Sequence, residues 1–366
     1  MYHIILVFLL SLTFLAFVFL IIFNIAIRLL VSWRDKKTAE YRKIIISKIE
    51  SFIDGSDIEF KNGVDKFVRD LAERDKSYRD VVDDYLMYIL EIPGINYRER
   101  YITIGWRLDF TSDCMEQIKN QNPEIAALGF RRAGLYSFKK AAEHMMAALD
   151  VFSSENQFEI LLGLARMGEA DLIQQAFEKI KDNILVNERA VIQILSSFPK
   201  GDHKLRLFRN MLRCGTDYIA AIFLKAMGSE MAVPLTEEII SALYNGNKYV
   251  RTAAVRGLSV LEKHAPLNEL IMAMDDHDWE VRCMAAKALG SVFKKNATLA
   301  LFRGLHDQQW WVRQNCAQSM INHPGYEPLF ILTAESGDEY AKDSIIYVLE
   351  KSGNPVLLRS IKIMAA

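Results

Sequence analysis

Residues 278–290 read Asp-Trp-Glu-Val-Arg-Cys-Met-Ala-Ala-Lys-Ala-Leu-Gly. The apolar residues recur at helical spacing from Val281 to Leu289, which predicts an amphipathic α-helix. We expect Asp278 to cap this helix, because its carboxylate can accept hydrogen bonds from the unpaired amides of the first turn. Gly290 is expected to end the helix in a left-handed conformation. A single helix of this kind is common, so its recurrence along the chain decides what it means.

The same helix recurs at a constant interval along the chain. Valine–arginine pairs stand at 250–251, 281–282 and 312–313, and small residues follow at 254, 285 and 316. Tyr340-Ala341-Lys342 repeats the feature slightly earlier than this interval would place it. A fixed period of roughly 20–50 residues is the signature of a solenoid, in which each unit buries its apolar face only by stacking on its neighbours.

The chain is predicted to be all-α, because no segment alternates convincingly with a two-residue period. Pro93-Gly94 breaks the helical pattern, and helices are expected in pairs from residue 96 onward. We therefore predict an anchor at 1–32, a membrane-proximal helical segment at 33–95 and a solenoid at 96–366. Residues 38–93 are either a cap on the solenoid or two degenerate repeats, and the sequence leaves both interpretations open.

The N-terminal segment is predicted to be a transmembrane helix. Residues 4–27 carry no charge, and this length spans a hydrocarbon core of about 30 Å. A retained anchor is favoured over a signal peptide, because the basic n-region and the small-residue cleavage site are missing. From Arg28 to Lys48 there are seven basic residues and two acidic ones. The positive-inside rule then predicts a single-pass protein of the inner or plasma membrane, with the N-terminus outside and residues 34–366 in the cytoplasm.

Residues 278–290 and the preceding segment 267–276 together resemble HEAT repeats of the short bacterial type. The resemblance is strong over 247–322, weaker over 123–246 and 326–350, and fades before about residue 96. It implies a HEAT-like α-solenoid of stacked helix pairs, in which turn aspartates and helix arginines form a ladder between neighbouring repeats. By that resemblance five residues are structural: Arg251, Asp278, Arg282, Asp307 and Arg313.

The sequence predicts neither a catalytic site nor a metal or cofactor site. The seven histidines form no ligand pair on one helix face, and His277 and His306 are expected in solvated turns. Phosphate-binding glycine loops and nucleophile elbows are missing. The four cysteines, Cys114, Cys214, Cys283 and Cys316, have no paired spacing and are predicted to be small buried residues.

One wall of the solenoid is a candidate binding surface. On the helix that begins at Trp279, the core face is centred between Val281 and Ala288, so Glu280, Cys283 and Lys287 are expected on the opposite face. The equivalent positions of the two neighbouring repeats extend this set to nine, and in HEAT-like solenoids such second helices line the concave side. The other six are Tyr249, Thr252, Arg256, Trp311, Gln314 and Gln318. Aromatic residues and arginine are enriched at protein interfaces. The alternative is a solvated wall, with Trp311 packed against the adjacent repeat.

These features favour a non-catalytic, membrane-tethered scaffold that binds a protein partner. The layout is similar to bacterial membrane-anchored HEAT proteins often encoded beside glycosyltransferases, which suggests a membrane glycosyltransferase or another cell-envelope assembly component as partner. Two alternatives are a HEAT-like lyase of the bilin-lyase type and a nucleic-acid-binding HEAT protein. The net charge of −1 gives no overall electrostatic case for nucleic acid, and no small-molecule substrate is evident.

Overall fold

The computed structural model describes the backbone of residues 2–180, 188–352 and 354–364, and their side chains except at 2–16, 18, 26, 30, 154, 214 and 364. The described residues are almost entirely helical and contain no strand, which confirms the predicted all-α class. Two compact units can be distinguished, residues 1–145 and residues 146–366. The predicted domain boundaries after residues 32 and 95 stay predictions.

Unit 1 is built from seven helices within the described residues, the last of which runs across the unit boundary. They are α1 Tyr2–Ile53, α2 Asp57–Ala72, α3 Lys76–Glu91, α4 Arg98–Arg107, α5 Phe110–Ile118, α6 Pro123–Leu135 and α7 Ala142–Ala148. Local chemistry fixes several helix starts. Ser56 and Glu59 form a capping box at α2, and Asp75 accepts from the Tyr78 amide at 2.9 Å at α3.

Helix α1 has a buried end and an exposed stretch. Near its C-terminus Ile45 and Ile49 are fully buried against the following helices, whereas the described large apolar side chains between Phe17 and Trp33 are 42 to 66 % exposed. No helix among the described residues is both long enough and apolar enough to cross a membrane. Most of the predicted anchor at 4–27 lies outside the described side chains.

A buried polar network connects α3 to the end of α6. The Tyr136 hydroxyl donates to Asp83 at 2.5 Å, and Arg132 pairs with the other carboxylate oxygen of Asp83. Burial raises the pKa of Asp83, and the arginine beside it opposes that shift. Gly105 is required here, because a Cβ would lie 2.5 Å from the Tyr136 ring.

Three of the four cysteines, Cys114, Cys283 and Cys316, are buried and free. This confirms the prediction of small buried residues, and it contradicts the separate expectation that Cys283 lies on the exposed face opposite the core. Burial raises the pKa of the Cys114 thiol to about 12, so this thiol is not a reactive thiolate at neutral pH. The side chain of Cys214 lies outside the described residues.

Unit 2 consists of helices stacked in two rows. In the first row, each helix packs on the next: α8 Ser154–Met167, α10 Glu188–Ser197, α12 Asp217–Ala226, α15 Lys248–Ser259, α17 Trp279–Leu289, α19 Trp310–Met320 and α21 Glu339–Ser352. The intervening helices are α9 Ala170–Ile180, α11 Asp202–Cys214, α13 Ser229–Ala232, α14 Thr236–Ala242, α16 Leu267–Ala273, α18 Lys295–Gly304, α20 Glu327–Glu335 and α22 Pro355–Met364. This arrangement confirms the predicted stacking of helix pairs.

The sequence repeat supplies the core of the first row. The valines at 250, 281 and 312 are at most 1 % exposed, and the small residues at 254, 285 and 316 are fully buried. Each column therefore packs against the same column of the next helix, which is how a solenoid buries its apolar face.

Both predicted caps of α17 are wrong in detail. Asp278 stands at the N-cap position, but its side chain accepts no first-turn amide and instead binds Arg251 at 2.7 Å. Gly290 keeps a right-handed helical conformation, with φ −60° and ψ −18°. Glycine is needed there for packing, because a Cβ would lie 2.9 Å from the Ser319 hydroxyl oxygen on α19.

A buried histidine connects three elements of unit 2. His323 is 2 % exposed, and its ring nitrogens lie 2.8 Å from the Thr298 hydroxyl oxygen and 3.0 Å from the Leu289 carbonyl oxygen. Burial lowers the pKa of His323, so the folded protein holds the neutral ring. The carbonyl can only accept, which identifies Nε2 as the donor and leaves Nδ1 to accept from Thr298.

We predict that this histidine makes the protein less stable in mild acid. Below the ordinary histidine pKa of about 6.5, His323 binds a proton in the unfolded chain but stays neutral in the folded protein. The free energy of unfolding therefore decreases as the pH is lowered. Urea denaturation at about pH 8 and about pH 5.5 measures the difference. His323→Gln should reduce it, whereas the control His203→Gln, at an exposed site on α11, should leave it unchanged. Equal pH dependence in all three proteins would contradict the prediction.

Candidate functional site

A buried arginine ties each repeat to the next. Arg251 is 4 % exposed, and its guanidinium contacts Asp276 at 2.8 and 3.0 Å. The same group also reaches Asp278 at 2.7 Å and the carbonyls of residues 245 and 246. The hydrogen bonds that Arg251 donates to the Asp276 carboxylate are the main reason why the pKa of Arg251 is raised. The guanidinium thus holds both its own turn and the turn of the following repeat.

Arg282 repeats this arrangement one unit later. Its guanidinium contacts Asp307 at 2.7 and 2.9 Å, and it donates to the carbonyls of residues 276 and 277 at 2.8 and 3.2 Å. The two equivalent aspartates are therefore Asp276 and Asp307. The sequence-based ladder left out Asp276. Asp278, which it included, also pairs with Arg251 but occupies a different position of the turn. The signal for Asp276 was the acidic or amide residue that recurs with the repeat at 245, 276 and 307.

Arg313 does not continue the pairing of arginine with aspartate. Its guanidinium donates to the carbonyls of residues 307 and 308 and lies 5.3 Å from the centre of the Tyr340 ring. Its buried Nε has no hydrogen-bond partner among the described residues. Asp338, which follows Asp307 at the same interval as Asp307 follows Asp276, binds His306 at 2.8 Å instead. The pairing of arginine with aspartate thus ends one repeat before the end of the first row.

Eight of the nine predicted surface positions are at least partly exposed along the first row. Tyr249, Arg256, Lys287, Trp311 and Gln318 are exposed, while Thr252, Glu280 and Gln314 are partly buried. We call these eight residues the strip. Cys283 does not belong to it, because it is 9 % exposed and its sulfur lies 2.9 Å from the Asn315 amide nitrogen on α19. The face opposite the core of one helix is here the contact with the next helix.

The carboxylate of the strip is already neutralised. Lys248, which the sequence reasoning missed, forms an ion pair with Glu280 at 2.7 Å and lies 5.4 Å from the centre of the Tyr249 ring. The hydrogen bond from Lys248 is the main cause of the lowered pKa of Glu280. This ion pair joins α15 to α17 at the surface.

An exposed aromatic cluster lies at the end of the strip. The rings of Trp310 and Trp311 meet edge to face with centroids 4.6 Å apart, and Trp310 approaches Tyr347 on α21 at 6.4 Å. These three side chains, the aromatic cluster, are 42, 55 and 41 % exposed. Sequence reasoning found only Trp311. The adjacent Trp310 was a visible signal, whereas the contribution of Tyr347 depends on how α19 and α21 pack.

Two cations of the strip have no ion-pair partner within the described residues. Arg256 and Lys287 are exposed at equivalent positions of consecutive repeats, on α15 and α17. At the preceding equivalent position, Lys225 pairs with Glu188 at 2.9 Å. Lys351 adds a positive charge beside the aromatic cluster, 4.2 Å from the centre of the Tyr347 ring. Available charge on this surface is therefore mainly positive.

The turn before α17 holds a group of possible metal ligands. Ligand atoms of Asp276, His277 and Asp278 lie within 4.8 Å of one another. Both carboxylates are engaged by the guanidinium of Arg251, so the positive charge that a cation would provide is already there. The positions of the two carboxylates are therefore explained by their ion pairs with Arg251 in the ladder.

A cavity of about 540 Å³ lies elsewhere in unit 2, between α10, α11 and α13. Its lining includes Lys200, Lys204 and Glu230, and Lys200 is paired with Glu230 at 2.9 Å. Burial lowers the pKa of Lys204. The cavity shares no residue with the strip or the aromatic cluster.

The comparisons with known proteins identify the repeat. The family described as HEAT repeats matches residues 236–321, which run from α14 to α19. The matched residues contain the complete Arg251 and Arg282 ladder and the strip, so both features lie within the segment that is similar to HEAT repeats. No curated protein sequence matches the chain.

Several solved structures are similar to the chain at low identity. An engineered protein is 16 % identical, covering 82 % of this chain and 92 % of its own, with a TM-score of 0.33. Kap121p bound to Ste12p is 12 % identical, with 89 % and 46 % coverage and a TM-score of 0.44. Human deoxyhypusine hydroxylase is 16 % identical, with 67 % and 98 % coverage and a TM-score of 0.29. This chain thus spans less than half of Kap121p, and these low scores transfer no function.

We predict that Arg282 contributes more stability than Arg313. Arg282→Met leaves the largely buried Asp307 without its counter-ion and should lower the free energy of unfolding by about 2–3 kcal/mol. Arg313→Met removes two carbonyl hydrogen bonds but leaves no carboxylate without its ion pair, so about 1 kcal/mol is expected. Chemical denaturation measures both losses.

The control for this comparison is Lys287→Met on the exposed face of α17, which should change stability by less than about 0.5 kcal/mol. Combining Arg282→Met with Asp307→Asn should recover part of the loss, because the carboxylate without its ion pair is gone. Equal losses for Arg282→Met and Arg313→Met would show that the aspartate contact adds nothing.

Proposed function

We propose that this protein is a non-catalytic scaffold that binds a protein partner through the strip and the aromatic cluster. The observation that carries the proposal is the exposure of Trp310, Trp311 and Tyr347 in contact with one another. Isolated apolar residues on a surface are ordinary, whereas a contiguous group marks an interaction site. Tryptophan and tyrosine provide most of the binding energy at many interfaces, because they bury a large area at little conformational cost.

The construction of the first row also favours this role. The guanidinium contacts of Arg251 and Arg282 fix neighbouring helices through several hydrogen bonds each, so the exposed side chains on those helices are held at set positions. A surface that is ordered before binding loses less conformational entropy when a partner arrives. Residues 236–321, which are similar to HEAT repeats, provide such a surface over three consecutive helices of the row.

The binding proposal is tested by recovery of the partner. The double variant Trp311→Ala with Arg256→Ala should lose at least about ten-fold of the co-purified partner, because it removes an aromatic anchor and a cation of the strip. Quantitative mass spectrometry of detergent extracts, compared with the wild-type protein, measures the loss.

The matched control is Leu332→Ala with Arg303→Ala, which removes an exposed apolar residue and an arginine from α20 and α18. Recovery should then equal that of the wild type. Unchanged recovery with the strip variant, in a protein that melts at the wild-type temperature, would sink the proposal.

We further propose that residues 4–27 tether the scaffold to the inner or plasma membrane, with the N-terminus outside and residues 34–366 in the cytoplasm. Support comes from the uncharged sequence, from the exposed apolar side chains of α1 and from the basic flank after Arg28. A tether would confine scaffold and partner to one thin layer and raise their effective concentration. The resemblance to membrane-anchored HEAT proteins suggests a membrane glycosyltransferase or another cell-envelope assembly component as the partner.

Alkaline extraction of membranes tests the tether. The wild-type protein should stay in the membrane pellet, whereas Phe14→Lys with Phe17→Lys should release it, because both positions lie near the middle of residues 4–27 and each lysine at the centre of a span costs about 2.5–3.5 kcal/mol. Lysine substitution at Ile58 and Tyr88, exposed apolar positions of α2 and α3, is the control and should not release the protein. Complete release of the wild type would exclude a transmembrane tether.

A further inference from the structure

The charges along the strip limit what kind of partner segment it can accept. Glu280 is paired with Lys248, whereas Arg256 and Lys287 are exposed and have no ion-pair partner among the described residues. Lys351 lies beside the aromatic cluster. The same helix carries three exposed acidic residues, of which Glu339 and Glu350 are paired with Lys342 and Lys362 and Asp343 has no ion-pair partner among the described residues. A segment that crosses α15, α17, α19 and α21 therefore meets two cations and then aromatic rings.

The repeat sets the spacing between these two cations. Packed helices lie about 8–10 Å apart, so equivalent positions on α15 and α17 are separated by about that distance. A chain in the extended polyproline II conformation has three residues per turn and advances about 3.1 Å per residue, so side chains three residues apart lie on one face about 9 Å from each other. Carboxylates three residues apart in such a segment are thus matched to Arg256 and Lys287. The aromatic cluster on the next two helices begins about three residues further along.

We propose that the strip binds an extended acidic segment of a protein, with two carboxylates three residues apart on Arg256 and Lys287 and a large apolar residue on the aromatic cluster. This proposal rests on the binding role assigned above and specifies the chemistry of the partner. The carboxylates set the register of the segment along the strip, and the apolar residue provides most of the buried area. Opposite charges on the two partners also speed their encounter.

A nucleic acid fits this surface less well. A protein that makes about six to ten phosphate contacts uses at least twice as many cations as the three that are available here, Arg256, Lys287 and Lys351. Glu280 and Asp343 would also face the phosphates, and the whole chain carries a net charge of −1. Stacking of a base on Trp311 does not compensate for the small number of cations and the repulsion from the carboxylates. The acidic protein segment is therefore favoured.

Fluorescence anisotropy with the full chain in detergent micelles tests the proposal. The probe is a labelled peptide Glu-Ser-Gly-Glu-Ser-Gly-Phe, used together with the reverse sequence so that either chain direction is sampled. We expect one of the two to bind, and the variants with glutamine or lysine in place of glutamate to bind at least about ten-fold more weakly. Moving the two glutamates next to each other should also weaken binding.

A charge exchange provides the matched control. In Arg256→Glu with Lys287→Glu, the affinity for the acidic peptide should fall at least about ten-fold. The affinity for the lysine peptide should rise by at least about the same factor. The gain shows that the variant is folded, because an unfolded protein would bind neither peptide specifically. Failure of the lysine peptide to bind a variant that melts at the wild-type temperature would overturn the proposed charge contacts.

Three further results would overturn the inference in distinguishable ways. If the glutamine peptide bound as tightly as the glutamate peptide, the strip would not discriminate between charged and neutral segments. Tighter binding of an oligothymidine than of either acidic peptide would replace the protein segment with nucleic acid. If neither peptide binds while Trp311→Ala with Arg256→Ala still abolishes partner recovery, the acidic segment is wrong and the scaffold proposal stands. If that recovery is also unchanged, both fail.

Discussion

The stacking of α15, α17 and α19 depends on the contact between a helix arginine and the turns on both sides of it. Arg282 donates to two carbonyls of its own turn and to both oxygens of Asp307 in the next turn. A planar guanidinium with five donors can satisfy all these acceptors at once, which a lysine could not do. Since one rigid group holds two turns, the spacing and rotation between neighbouring helices are fixed together. The buried columns of valine and alanine can then repeat without adjustment.

The same constraint explains where the candidate binding surface lies. Helix positions that face the turns and the core are used for stacking. Stacking does not determine the residue type at the remaining positions, which form the strip. The regularity then breaks at Arg313, which faces Tyr340 and has no aspartate partner among the described residues, and the interval to the next repeat shortens. The aromatic cluster lies at this break. Exposed Trp310 and Trp311 contribute little to the ladder, which is why a role in binding explains them better than a role in folding.

The sequence predicted the helices and their stacking because both follow from periodicity, which a single chain displays directly. It failed where the answer depended on a neighbouring helix. Gly290 was expected to provide a left-handed cap, but it is required by the approach of Ser319. Cys283 was placed on the solvent face, because a helix considered alone has only one core, whereas a helix in a row is buried on two sides. Tyr347 was missed for the same reason, since only the packing of α21 on α19 brings it to Trp310.

Weak contacts on the strip would be sufficient for a tethered scaffold. Exposed charge pairs typically contribute less than about 1 kcal/mol each, so Arg256 and Lys287 by themselves hold a partner only weakly in dilute solution. The proposed tether would change that balance, because confinement to one membrane would raise the effective concentration of both proteins without any new contact. The charges would then select and orient a segment, while the rings of the aromatic cluster would determine how long it stays. A surface of this kind favours exchange between partners over permanent assembly, since its affinity depends on a few anchors rather than on a large buried area.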